Sequence, residues 1–500
     1  MLRLKPTARQ PKVIIIGAGM TGMLMLIKLR EMGVKDVVVL EKKEKVGGTW
    51  RENTYPGVAC DIPAHMYTYS FEPNAEWSHR FARGDEIQQY FERVADKYGL
   101  HHAIRFNTAV SAARFEKGQW QISTHNGEHY EADFLISATG ILHHPAYPDI
   151  EGRTHFGGHS FHTAEWDHSV SLKGKRIGVI GTGSTACQAI PELVKQGARV
   201  SVFQRTPQWI VNVPDRDYNE THKARCRRDP GLLHRLRQLY TLGVEQIFSK
   251  AVTGHKLQHA FVSLLCKWNL RRSVKDPVLR AKLTPDYKVG CKRLIANGTF
   301  YEAIQQPNAV LVTERIERLE PAGVRTQDGR LHELDVVVYA TGFHPFNFMR
   351  PMDMRGKGGV SIDDVWANKV QAYRSLFIPQ FPNFFLMLGP NTPIGNFSVI
   401  AMSEVQCAYV LQCIARWCQG HFDEMDVKPQ AMQAFNHYLK QGMSKTVWVG
   451  GCNSWYLDKD GDPAMWPYSW KQWVNEMAAP TWSDFNLQRR ADDDEVEAAA

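Results

Sequence analysis

Two stretches of the chain share one rhythm of apolar and polar positions. Each begins with a short unbroken apolar run, turns through closely spaced glycines, continues with apolar residues at helical spacing, and ends in a second apolar run. The first reads KVIIIGAGMTGMLMLIKLREMGVKDVVVLE and the second KRIGVIGTGSTACQAIPELVKQGARVSVFQRT. Unbroken apolar runs of four or five residues fit strands buried on both faces of a parallel sheet, and the segment between them fits a crossover helix. The pattern therefore predicts strands at 13–16, 37–40, 177–180 and 200–203, with a helix between the members of each pair. Two further runs, DFLISATGI (133–141) and DVVVYATGF (335–343), read as strands that leave a nucleotide-binding sheet at its carboxyl edge through Ala-Thr-Gly. The fold class expected is α/β, with two Rossmann-like dinucleotide-binding domains.

The turns carry the chemistry. Gly17, Gly19 and Gly22 form G-x-G-x-x-G, and Gly181, Gly183 and Ala186 form G-x-G-x-x-A. Such glycines let the backbone approach a pyrophosphate at a helix N-terminus, where unpaired N–H groups face the anion. Glu41 stands 24 residues after Gly17, where a carboxylate accepts from ribose hydroxyls; Arg205 stands 24 residues after Gly181. A carboxylate there would repel a 2′-phosphate, whereas a guanidinium binds one in two charge-assisted bonds, with Thr206 as a further donor. The two units thus point to FAD in the first and NADPH in the second, with hydride passing between them.

Composition narrows the setting. The chain has 500 residues, 43% of them hydrophobic, and a formal charge of +8. That balance suits a multidomain globular protein that attracts anionic cofactors, and no clustered basic-aromatic surface suggests nucleic acid. The nine cysteines include no C-x-x-C pair and are odd in number, which argues against a disulfide framework and a dithiol redox centre and fits a reducing, cytoplasmic setting. The N-terminal residues lack a signal-type apolar core, and the longest apolar stretch, 13–27, is broken by glycines, so no transmembrane segment is expected. No metal site is expected.

Between the two units lies FGGHSFHTAEWDHS (156–169). Phe156, Gly158, His162, Trp166 and Asp167 fit F-x-G-x-x-x-H-x-x-x-W-[PD], which resembles the fingerprint of the type I flavin-dependent Baeyer-Villiger monooxygenases. His159 and His168 fit no pattern and read as polar loop residues. Gly47, Gly48, Trp50, Tyr55, Pro56, Gly57 and Asp61, in GGTWRENTYPGVACD, match a second pattern of that family. With both dinucleotide units, DIPAHMYTYSF, GCKR and LGPN, the resemblance spans most of residues 10–456. It implies a ketone substrate, O2, and conversion to an ester or lactone through a C4a-peroxyflavin. Arg293 aligns with the arginine that stabilises the peroxide anion and the tetrahedral adduct, and Asp61 with the carboxylate that orients it. Lys292 is similar to the lysine that joins Arg205 and Thr206 on the 2′-phosphate.

By position, Gly17, Gly19, Gly22, Glu41, Gly48, Thr49, Trp50, Asp61, Tyr67 and Val110 would meet FAD. Gly181, Thr182, Gly183, Ser184, Arg205, Thr206, Lys292 and Arg293 would meet NADPH. Trp455 resembles the tryptophan near the nicotinamide ribose, although LDKDGDPAMWPYSW then replaces the G-A-N-x-x-G-K of the better-known branch. The linker is expected to couple the two domains.

The domains implied are FAD-binding at 1–145 and 345–500, NADPH-binding at 150–217 and 286–342, and a helical insertion at 218–285. The insertion is basic with helix-spaced apolar residues, which suits a lid packed on the NADPH domain or an amphipathic surface in peripheral contact with a membrane. The tail RRADDDEVEAAA is charged, poor in apolar residues and expected to be disordered. Two other activities share these cofactors: a monooxygenase acting on nitrogen or sulfur, and a non-oxygenating NADPH-flavin reductase. Oligomeric state and the ketone's identity are not legible.

Overall fold

The structure is a computed structural model that describes residues 3–392, 397–452, 456–458, 460–462 and 464–489. The tail from 490 onward lies outside the described residues.

Two five-stranded parallel sheets repeat one arrangement. In the first, Lys12–Ile16 lies between Asp36–Leu40 and Phe134–Ser137; Ile104–Arg105 and Phe384–Leu386 form the edges. In the second, Arg176–Ile180 lies between Arg199–Phe203 and Val336–Tyr339, with Ala309–Val312 and His159–His162 at the edges. The first strand of each unit thus pairs with the unit's own second strand and with its Ala-Thr-Gly strand. Ile15, Phe134, Ile136, Ile177, Val179, Val336 and Val338 are completely covered on the helix side of the two sheets. On the opposite side Ile14 and Leu135 pack against the antiparallel strands Val110–Glu116 and Gln119–Thr124, and Val337 and Tyr339 against Ile316–Glu320 and Gly323–Thr326, so both faces are buried, as near-continuous apolar runs require.

The helices Met20–Met32 and Ser184–Lys195 follow the two turns, capped at their N-termini by Gly19 and Gly183. Gly17 has φ +103°, and a Cβ there would lie 2.7 Å from the Ala138 carbonyl oxygen of the Ala-Thr-Gly run. A Cβ on Gly22 would strike the Gly17 carbonyl oxygen. The equivalent third position in the second unit accommodates Ala186, fully buried. The glycines therefore serve close helix-strand packing as well as ligand approach.

Four residues of the linker form a strand. His159–His162 is the outer strand of the second sheet, pairing in parallel with Val336–Tyr339 so that Phe161 meets Val338 and His162 meets Tyr339. His159 is thus an edge-strand residue; sheet pairing overrode a sequence with no clear period-two alternation. A Cβ on Gly158 would meet the Asp335 carbonyl oxygen and the Phe156 ring, which accounts for F-x-G in packing terms. Trp166 is buried edge-on against Phe161, and the Asp167 carboxylate accepts from the Ser169 N–H and hydroxyl.

The insertion is helical, with Glu220–Arg228, Pro230–Val244 and Lys256–Ser273 as its main helices. It rests on both dinucleotide-binding units, more than a lid on one. Asn269 donates to the Ile210 carbonyl near the second sheet, while Arg237 pairs with Glu404 and donates to the Thr68 carbonyl. The His222 ring stacks on Tyr218 and meets His65, Nε2 to Nε2, at 3.1 Å.

Candidate active site

Both helix N-termini open into one cleft of about 1600 Å³. Every residue nominated from sequence for a cofactor lines it, except Gly22, which packs beneath the first turn, and Trp455, which lies outside the described residues. The five linker residues do not line it.

At the first unit, the buried Glu41 carboxylate accepts from the Ala18 N–H at 2.7 Å and the Lys43 N–H at 2.9 Å. Burial raises its pKa, and those two N–H groups oppose the rise by favouring the charged form. Glu41 therefore braces the glycine turn as well as facing the cleft. Trp50 donates its indole N–H to the Tyr67 hydroxyl at 3.1 Å, and the two rings meet edge to face on the cleft wall. The open turn at Gly17 and Gly19, the helix N-terminus behind it and this aromatic wall fit a flavin dinucleotide.

At the second unit, Arg205 and Lys292 face the cleft from different segments. Burial chiefly lowers the Lys292 pKa, and the neighbouring Arg205 charge lowers it further. Neither cation forms an ion pair among the described residues. Asp286 opposes that lowering only in part, and two crowded cations that no carboxylate pairs directly make a site for an anionic group on the ligand, as the 2′-phosphate of NADPH would supply.

Arg293 lies between the two units. Its guanidinium grips the Asp61 carboxylate through Nη2 at 2.7 and 2.8 Å and Nε at 3.2 Å. The side chain is still 34% exposed, which leaves it free to meet an anion in the cleft. The Asp61 charge holds its pKa above the ordinary arginine value, and Tyr456 adds to the effect. Arg293 is therefore a permanent cation at a fixed position.

Sequence reasoning missed two features around this arginine. Cys291 and Cys452 are joined in a disulfide across 161 residues, a single bond where the cysteine pattern argued against a disulfide framework; the other seven cysteines are free and buried. The spacing holds no signal for this pair, because only the tertiary fold brings the two segments together. The bond staples the Lys292-Arg293 segment to the turn that leads toward Trp455.

The second feature is how the Gly47–Asp61 pattern works as a domain seam. Tyr55 donates to Gln188 at 2.7 Å, and Gln188 donates to the Ala59 carbonyl at 2.9 Å. Gly57 has φ +82°, and a Cβ there would lie 2.5 Å from the Gln188 carbonyl oxygen. His168, from the linker, meets Thr54 of the same segment at 2.8 Å, so it is more than a free loop residue. His162 is wholly buried; its Nδ1 accepts from the Ala164 N–H, and its ring meets Tyr147 and Phe343 edge-on. Burial lowers its pKa, which favours a neutral packing residue over a proton donor.

The pyridine nucleotide-disulphide oxidoreductase family profile matches residues 14–227. An uncharacterised monooxygenase of Mycobacterium tuberculosis is 47% identical over 93% of each chain. A Baeyer-Villiger monooxygenase of Streptomyces coelicolor is 37% identical over 96% of this chain and 93% of its own length. The crystal structure of OTEMO in complex with FAD and NADP superposes with a TM-score of 0.86 at 28% identity, covering 96% of this chain and 100% of that one. Two fused dinucleotide units, a cleft shared between them, an arginine-aspartate pair at their junction and relatives that run the length of the chain lead to one assignment: the protein belongs to the FAD- and NADP(H)-dependent type I Baeyer-Villiger monooxygenases.

Proposed function

We propose that this chain uses NADPH and O2 to insert one oxygen atom beside a ketone carbonyl, giving an ester or lactone and water. The observation that carries this reading is the Arg293–Asp61 pair, a fixed cation exposed to the cleft where the two dinucleotide units meet. FAD, when bound, would supply the reduced flavin that activates O2.

The protein's part is positioning and electrostatics. The first turn and Glu41 would hold the flavin dinucleotide; Gly181, Gly183 and Ser184 would hold the nicotinamide dinucleotide, with Arg205, Thr206 and Lys292 selecting its 2′-phosphate. Arg293 would stabilise the negative charge on oxygen during attack on the ketone and on the adduct that follows. Preorganised cations in a site that excludes water are worth far more than in bulk solvent, typically about 3–4 kcal/mol for one donor. Asp61 is a positioning residue, because it fixes the guanidinium without touching the ketone. The seam through Tyr55, Gly57 and Gln188, with the linker strand, would keep the two cofactor sites in register.

The test is incubation of FAD-loaded enzyme with NADPH and, in parallel, cyclohexanone, a thioether and a dye acceptor. Ester or lactone at near-stoichiometric NADPH use supports the proposal. Sulfoxide alone would favour the heteroatom oxygenase, and dye reduction without oxygenated product the reductase.

A further inference from the structure

The helix Lys256–Ser273 covers only one of its apolar faces. Val262, Cys266, Asn269 and Leu270 are buried against the body of the protein. Leu257, Phe261, Leu264 and Trp268 follow at i, i+4, i+7 and i+11, a spacing that keeps them in one narrow stripe. They are 83%, 50%, 65% and 52% exposed. Single exposed leucines are ordinary, but four large apolar side chains aligned along one helix form a patch that marks an interaction surface.

The charges beside the stripe identify the partner. Lys256, Lys267, Arg271 and Arg272 are exposed and flank it, with Arg272 5.0 Å from the Trp268 ring. Residues 250–275 contain six lysines and arginines and no aspartate or glutamate. At about 1.5 Å per residue the helix is about 27 Å long, enough to lie along a surface. No helix among the described residues is long and apolar enough to cross a membrane.

We propose that this helix docks the enzyme on a bilayer containing anionic lipid, its apolar stripe entering the headgroup-acyl boundary while the basic flanks meet lipid phosphates. Self-association through the same face would set these cations against their own copies with no acidic residue in the segment to offset them. An anionic surface complements both the stripe and its flanks.

Vesicle co-sedimentation of the FAD-loaded full chain tests this directly, using phosphatidylcholine vesicles and 3:1 phosphatidylcholine:phosphatidylglycerol vesicles. Binding is read without turnover, so its outcome is independent of the oxygen-insertion reading. The wild type should pellet with the anionic vesicles, much less with the neutral ones, and should be released by salt. Lys267→Gln with Arg271→Gln should weaken partitioning about 25-fold, at about fivefold per basic residue near an anionic surface. Leu257→Ser with Leu264→Ser should weaken it by at least as much. FAD content and NADPH oxidation should be unchanged in both variants, which also verifies folding. Failure of the wild type to pellet, or binding that neither pair weakens, overturns the proposal. So does a dimer in sedimentation equilibrium that the leucine variant dissociates, without vesicle binding.

Discussion

Replacing Arg205 and Lys292 by alanine should cost turnover with NADPH far more than turnover with NADH. Both side chains line the cleft at the second dinucleotide turn, and Arg205's charge helps lower the Lys292 pKa, so they share one local field. A hydrogen bond to a charged group contributes about 1.5–3 kcal/mol, or about one to two decades per residue at about 1.4 kcal/mol per decade. Arg205 is exposed and belongs at the low end; Lys292 is partly buried and should cost more. The double variant should therefore lose about two to three decades in kcat/KM for NADPH while NADH, which lacks the 2′-phosphate, changes by less than about threefold. The assay is steady-state NADPH and NADH oxidation by wild type, both single variants and the double variant, all with verified FAD content. Equal losses for the two nucleotides would refute the assignment, because they would show that the cations support the site as a whole and do not read the phosphate.

Lys292 also predicts a pH effect: its pKa lies below the ordinary lysine value of 10.5, and the cation is lost as pH rises through it. The alkaline fall of kcat/KM for NADPH should therefore begin earlier than an ordinary lysine allows, and Lys292→Arg, which stays charged above about pH 12, should move that limb upward. Gly57→Ala places a Cβ against the Gln188 carbonyl at positive φ and should lower the unfolding midpoint of the holoenzyme by several degrees. Gly197→Ala, also at positive φ but facing open space, should cost less; equal costs would show that the seam contact is unimportant. Breaking the Cys291–Cys452 bond with a thiol reductant should destabilise the wild type by about 2–5 kcal/mol and leave Cys452→Ser unaffected; a reductant-insensitive wild type would contradict the bond.

The parts of the fold visible in sequence are those in which local pattern and tertiary role coincide. The buried strands announced themselves as unbroken apolar runs because both faces of each sheet are covered, one by helices and the other by a small antiparallel sheet, and the turns by glycines that nothing larger can replace at Gly17 and Gly22. Arg293 and Asp61 are 232 positions apart; their pairing was suggested by family resemblance, and spacing alone carries no trace of it. His159 reads as a loop residue in sequence because His159–His162 is an edge strand whose pairing with Val336–Tyr339 no local periodicity encodes. Long-range closure likewise hid the disulfide and the Tyr55–Gln188 seam, since each joins segments whose meeting depends on how the two sheets are assembled. The exposed stripe on Lys256–Ser273 shows the converse: helix-spaced apolar residues were visible, but which face would be covered was not.

Arg293→Ala offers the most direct measurement of oxygen insertion. With FAD bound and a ketone that the wild type oxidises, ester formed and hydrogen peroxide released are each counted per NADPH consumed. Hydride transfer needs the two cofactor rings stacked and should slow only modestly. Holding charge on oxygen needs the cation, so ester per NADPH should fall about 10²–10³-fold while hydrogen peroxide makes up the balance. Asp61→Ala should show the same uncoupling more mildly, because it loosens the guanidinium without removing its charge. Ester at wild-type yield from Arg293→Ala would contradict the role given to this residue.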